Sequence, residues 1–218
     1  MDPIHTCVAL APLTLYLLFL GLVNLWPRPI VLSGTTDLGL LAFGVSGLIM
    51  AGPMDLFWPE AAAARFGPYV WVMMLALYAL GVTLWVLVVR PRLVVYNVRA
   101  DDLRRVLAEL APRLDVKAVW MGDNLHLPSL RVQLHLESFS PLRNVQLVST
   151  GGGQSYAGWQ DVLSALRPAV KRIHSHPNPY GAALVAFSFL LVGVISYWLV
   201  SAGPTVAAGL WQMLRVAG

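Results

Sequence analysis

The sequence reads as a membrane protein of about four transmembrane α-helices plus one small α+β two-layer sandwich, a mostly antiparallel sheet with two helices on one face. Three observations lead there. Four apolar stretches, residues 7–26, 38–58, 69–89 and 182–200, each approach the roughly 20 residues that cross a hydrocarbon core about 30 Å thick. Hydrophobic residues make up 57% of the 218 and charged residues 12%, against roughly 45–50% apolar and about 25% charged in soluble domains. A compact chain of this length still needs a hydrated shell, so lipid must solvate part of it. Between the third and fourth stretches the hydropathy period shifts to the helix and strand periods of a folded domain. The expected division is 1–90 for a membrane region with three spans, 91–178 for the α+β domain, and 179–218 for the fourth span and a short amphipathic C-terminal helix.

The first apolar stretch closes at Trp26-Pro27-Arg28. No positive segment precedes it and no small-residue cleavage site follows, so it is expected to be a retained span rather than a signal peptide. The second stretch carries Gly39, Gly44, Gly47, Gly52 and Pro53, with Asp55 close to its end. Small residues let helices approach closely in lipid, so Gly44, Gly47 and Ala51 are expected to form a contact seam. Gly52-Pro53 reads as a frayed end of a plain span, with a functional break as the alternative. The third stretch is uninterrupted, with Trp71 near one end and Arg90-Pro91-Arg92 at the other, and the fourth has Tyr197 and Trp198 near its outer end. Aromatic and basic residues at the ends suit the two interfaces of a bilayer. Residues 205–216 are too short to span, and the spacing of Val206, Leu210, Trp211 and Leu214 reads as a helix lying in the interface.

Four spans place the loop around Arg28 and residues 91–178 on one side of the membrane, and both termini on the other. Arg90, Arg92, Lys171 and Arg172 cluster on the domain side. The positive-inside rule then makes residues 91–178 cytoplasmic and both termini external, in a cell inner membrane or plasma membrane. Arginine far outnumbers lysine, and alanine, glycine and proline are abundant, a composition expected of a bacterium with a GC-rich genome. The formal charge of +4 is interleaved with acids and concentrated beside apolar stretches, which argues against nucleic acid as a partner. Cys7 is the single cysteine, so neither an intrachain disulfide nor a thiolate metal cluster is available.

Within the central region, 93–98 reads as a strand. Residues 101–114 follow as an amphipathic helix through Leu103, Val106, Leu107, Leu110 and Leu114, with Asp101 and Asp102 at its positive end. Gly122-Asp123 between 117–121 and 124–127 suits a two-residue hairpin turn. Residues 130–139 alternate strictly, with Arg131, Gln133, His135 and Glu137 on a wet face. Residues 144–149 form another strand and 156–173 a second helix, which Pro168 is expected to kink or interrupt.

Each candidate for chemistry has a plain structural counterpart. Gly151-Gly152-Gly153-Gln154-Ser155 joins a strand to a helix, where backbone amides can hold phosphate, yet it lacks the P-loop ending, and a linker with Ser155 as helix cap accounts for it. His174 and His176 form a His-X-His pair able to ligate zinc if other ligands approached, or simply a solvated linker. Arg131, Gln133, His135 and Glu137 read as a ligand or partner face, or as an ordinary exposed sheet surface. Asp55 is an ionisable group at a membrane segment, as in ion paths, or an interfacial residue. No motif asks for a cofactor, and no catalytic triad is identifiable from spacing. These features do not determine a function. They favour a non-enzymatic membrane-anchored module whose domain mediates protein interaction or self-association. The alternatives are a small transporter or transporter subunit using the glycine-rich second span and Asp55, and more remotely a membrane enzyme with His174 and His176 at the domain–bilayer boundary.

Overall fold

A computed structural model describes residues 3–202; the expected amphipathic helix at 205–216 lies outside the described residues. Among these residues the chain forms seven α-helices and one six-stranded sheet, and it divides into two compact units.

The first unit comprises residues up to 19, 38–88 and from 185 onward. Its helices belong to α1 (Pro3–Leu25), α2 (Gly34–Ile49), α3 (Glu60–Phe66), α4 (Tyr69–Val88) and α7 (Pro179–Ala202). Four stretches are long and apolar enough to cross a bilayer: His5–Leu25, Gly34–Met54, Tyr69–Val88 and Pro179–Ser201. They match the four expected spans to within a few residues. Helix α4 shows what they are built for. It has no charged side chain, and Leu77, Leu84, Leu87 and Val88 are 55–82% exposed. Such a surface suits a hydrocarbon surrounding.

Pro53 does not end the second span. A π-helical turn, Met50–Met54, continues α2, because a proline lacks the N–H and its ring collides with the preceding turn, and widening that turn relieves both. The expected small-residue seam is present at two of its three positions. A Cβ on Gly47 would stand 2.2 Å from the Val8 carbonyl oxygen, and one on Gly44 would stand 2.8 Å from Tyr16 Cβ, so both glycines let α2 press directly on α1.

The second unit comprises residues 20–37 and 89–184. It contains β1 (Ile30–Ser33), β2 (Arg92–Tyr96), α5 (Ala100–Leu114), β3 (Val119–Met121), β4 (Asn124–Leu127), β5 (Val132–Phe139), β6 (Asn144–Ser149) and α6 (Tyr156–Val170). Strand order is β1-β2-β6-β5-β4-β3, and every pairing is antiparallel. The sheet therefore extends beyond residues 91–178, since the loop between the first two spans supplies β1, which sequence reading leaves as loop. Four residues flanked by Pro27, Pro29 and Gly34 are too few to show a period. Gly122, at φ 62, makes the β3–β4 turn where expected.

Register places Val31, Leu93, Val95, Leu125, Leu127, Val132, Leu134, Val145 and Leu147 in one core cluster with Leu103, Leu107 and Ala111 of α5 and Trp159, Val162, Leu163, Leu166 and Val170 of α6. Helix α6 runs through Pro168 to Val170; the proline is exposed and lies two residues before the helix ends, so little helix follows the bond it removes. Ile173, expected as helical, closes the following turn with its N–H on the Val170 carbonyl and still packs on the core.

Candidate functional site

The sheet face opposite the core carries the polar row. Gln133, His135 and Glu137 share it on β5, while Arg131 precedes the strand in a turn at φ 52, exposed, its N–H bonded to the Pro128 carbonyl. Cross-strand register sets Asn124 of β4 opposite His135 and His126 opposite Gln133. His135 Nδ1 donates to Asn124 Oδ1 at 3.0 Å, and the Gln133 amide donates to His126 Nε2 at 3.0 Å. Both imidazoles are thus oriented by neutral amides, and Glu137 lies opposite Gln146. The row presents hydrogen-bonding capacity along the exposed face of the sheet. Its margin is apolar. Val119 and Met121 on the edge strand β3 are 45% and 65% exposed, and Phe139 at the end of β5 is 55% exposed, all on the same face by register.

The glycine loop after β6 is fastened to the sheet. Gln154 Oε1 accepts from the Gln133 backbone N–H (3.0 Å) and from Trp159 Nε1 (3.2 Å), and its amide nitrogen donates to the Thr150 carbonyl (2.7 Å). Ser155 Oγ accepts from the Gly158 N–H and caps α6 as expected. At the other end of α5, Asp115 accepts from the backbone N–H groups of Lys117 and Ser129 and from Ser129 Oγ. Burial alone would raise its pKa, but those bonds and the Lys117 charge outweigh it and hold the carboxyl below its ordinary value.

Three asparagines that sequence reading passed over join the ends of the chain segments of this unit. Asn97, fully buried at φ 57, donates to the Trp26 carbonyl (2.7 Å) and accepts from Ser175 Oγ (3.0 Å). Asn178 donates through its side chain to the Pro141 carbonyl (3.1 Å) and through its backbone to the Asn24 carbonyl (3.1 Å). Asn24 was the available signal: a polar amide in an otherwise apolar span has to find a partner. A second junction forms where Asp37, in the first turn of α2, accepts from Arg92 Nη2 (3.0 Å) and from the Tyr96 hydroxyl.

His174 and His176 follow α6 and are both exposed. Among the described residues no three His, Cys, Asp or Glu side chains converge as metal ligands. The two histidines instead line a cleft of about 280 Å³ with Arg99, Asp102 and Arg143. An adjoining cleft of about 300 Å³ shares Arg99 and Arg143. In the membrane unit, Asp55 directly follows the π-helical turn, with one carboxylate oxygen 3.5 Å from His5 Nε2. Met54, Trp58, Val70 and Trp71 pack beside it, the two indoles 4.9 Å apart.

Compared with protein-family models, curated proteins and solved structures, the chain matches none.

Proposed function

We propose that the chain is a non-enzymatic, membrane-anchored module whose α+β domain self-associates through the β3 edge of its sheet. The observation that carries this is β3: three residues, Val-Trp-Met, at the end of the strand order, with Val119 and Met121 exposed. Edge strands are ordinarily blunted by shortness, charge, proline or a bulge, since their open N–H and C=O groups template pairing, and of these β3 has its shortness. This one has neither charge nor proline. Antiparallel pairing of two copies about Trp120 sets Val119 against Met121 twice, the self-complementarity a twofold contact requires. Anchoring in one bilayer raises the effective concentration of the second copy. Two helices on one face of an antiparallel sheet make the domain a two-layer sandwich, and the opposite face, polar with an apolar margin, adjoins the edge. Arg28, Arg90, Arg92, Lys171 and Arg172 favour the cytoplasmic side of a bacterial inner membrane for this domain.

Val119→Cys in a Cys7→Ser background tests both parts of the reading. In native membranes a short bis-maleimide should link Val119→Cys into a homodimer and should not link Glu109→Cys, on the exposed side of α5. A membrane-impermeant maleimide should reach Val119→Cys only after the cells are opened. A monomer alone, or a crosslink to a different protein, overturns self-association, and labelling in intact cells overturns the sidedness.

A further inference from the structure

The cleft lined by Arg99, Arg143, His174 and His176 belongs to no part of the edge contact, and its chemistry is distinct. Arg99 is exposed; its backbone carbonyl accepts from the Leu103 N–H, while its side chain has no hydrogen-bond or ion-pair partner among the described residues. Arg143 places one guanidinium nitrogen on the His176 carbonyl, at 2.8 Å, and keeps its other donors. The acid on this cleft, Asp102, is taken up by Arg105, and Asp101 lies on the adjoining cleft rather than this one. Arg99, Arg143, His174 and His176 therefore line a space of about 280 Å³ with a single acid, Asp102, beside them. Arg99 is also the residue before α5, where no side chain caps the helix start and Asp101 and Asp102 in the first turn meet the positive end of the dipole.

The wall of the cleft is tied to chain that enters and leaves spans. Ser175, on the cleft, donates its N–H to the Pro27 carbonyl, and Asn97, also on it, holds the Trp26 carbonyl. Trp26 ends the first span and Tyr180 begins the last; they are 59% and 58% exposed. Exposed aromatic rings at span ends sit at headgroup level, and basic pockets at that level on the cytoplasmic side suit anionic headgroups. We propose that this cleft binds a phosphoryl group, presented by the headgroup of an anionic phospholipid.

The test uses the full chain purified from membranes of mixed composition, with retained phosphatidylglycerol and phosphatidylcholine counted by native mass spectrometry. Phosphatidylglycerol should be retained about tenfold over phosphatidylcholine. Arg99→Gln and His174→Gln, both at exposed positions, should each cut that preference severalfold while leaving the melting temperature unchanged, and millimolar inorganic phosphate should compete. If phosphate raises the melting temperature in an Arg99-dependent way but the lipid preference is absent, the phosphoryl site stands and its lipid source is overturned. If neither phosphate nor phosphatidylglycerol binds, or both variants behave as the parent, the site itself is overturned.

Discussion

Asn97 shows how much a single side chain does in this domain. It holds a left-handed backbone that asparagine tolerates and most residues do not, and both ends of its amide are engaged, on Trp26 and Ser175. Asn97→Ala should therefore lower stability by about 3 kcal/mol, from the unfavourable φ together with the lost buried bonds. Asn97→Gly, which relieves the backbone and loses only the bonds, should cost roughly half as much. Thermal melting of the two variants in detergent checks the order; equal losses would show that the backbone conformation contributes nothing. Residues whose roles are local were legible beforehand: Ser155 caps the helix it precedes and Gly122 turns the hairpin it sits in. Asn24, Asn97 and Asn178 were not, because their partners lie tens of residues away and no spacing rule connects them. The Gln133–His126 and His135–Asn124 pairs were half legible. Alternation put Gln133 and His135 on one face, while the partner of each depended on β4–β5 register.

Helices and strands with a full period were read to within three residues at either end. Residues 124–127 and 144–149 are β4 and β6, and α5 begins one residue before the expected start. The departures have specific causes. Pro53 and Pro168 both sit inside helices, the first within a π turn and the second two residues before its helix ends, so that the missing N–H and the ring disturb little regular helix. The seam on α2 provides a test of packing in the membrane unit. Gly47→Ala drives a methyl group to within 2.2 Å of the Val8 carbonyl oxygen, whereas Gly39→Ala meets nothing within 4 Å. The first should lose about 1–3 kcal/mol through overpacking. The second should be neutral or gain up to about 1 kcal/mol from helix propensity. Melting curves of the purified full chain separate them, and an unperturbed Gly47→Ala would mean that α1 and α2 are not in contact there.

The molecule as a whole depends on the loop between its first two spans. Strand β1 covers the β2 edge over four residue pairs, Val31 enters the core at 7% exposure, and Pro27, Trp26 and Asp37 accept bonds from Ser175, Asn97 and Arg92. Residues 91–178 expressed alone should thus expose a long apolar β2 edge and associate. The same segment joined by a flexible linker to residues 26–37 should be monodisperse with dispersed amide resonances. Size-exclusion chromatography compares them, and a monomeric, equally stable 91–178 fragment would show that β1 is dispensable. What the sequence alone determined is whatever a local pattern encodes: four runs long enough to need lipid, the alternation and helical periodicity of the central region, and the caps and turns between them. Only the tertiary structure decided that a four-residue loop segment completes the sheet, that three distant asparagines share one junction, and that Arg99, Arg143, His174 and His176 border one cleft. Apolar period is written into consecutive residues, whereas these meetings are produced by the closing of the chain on itself, and nothing in the neighbouring sequence records them.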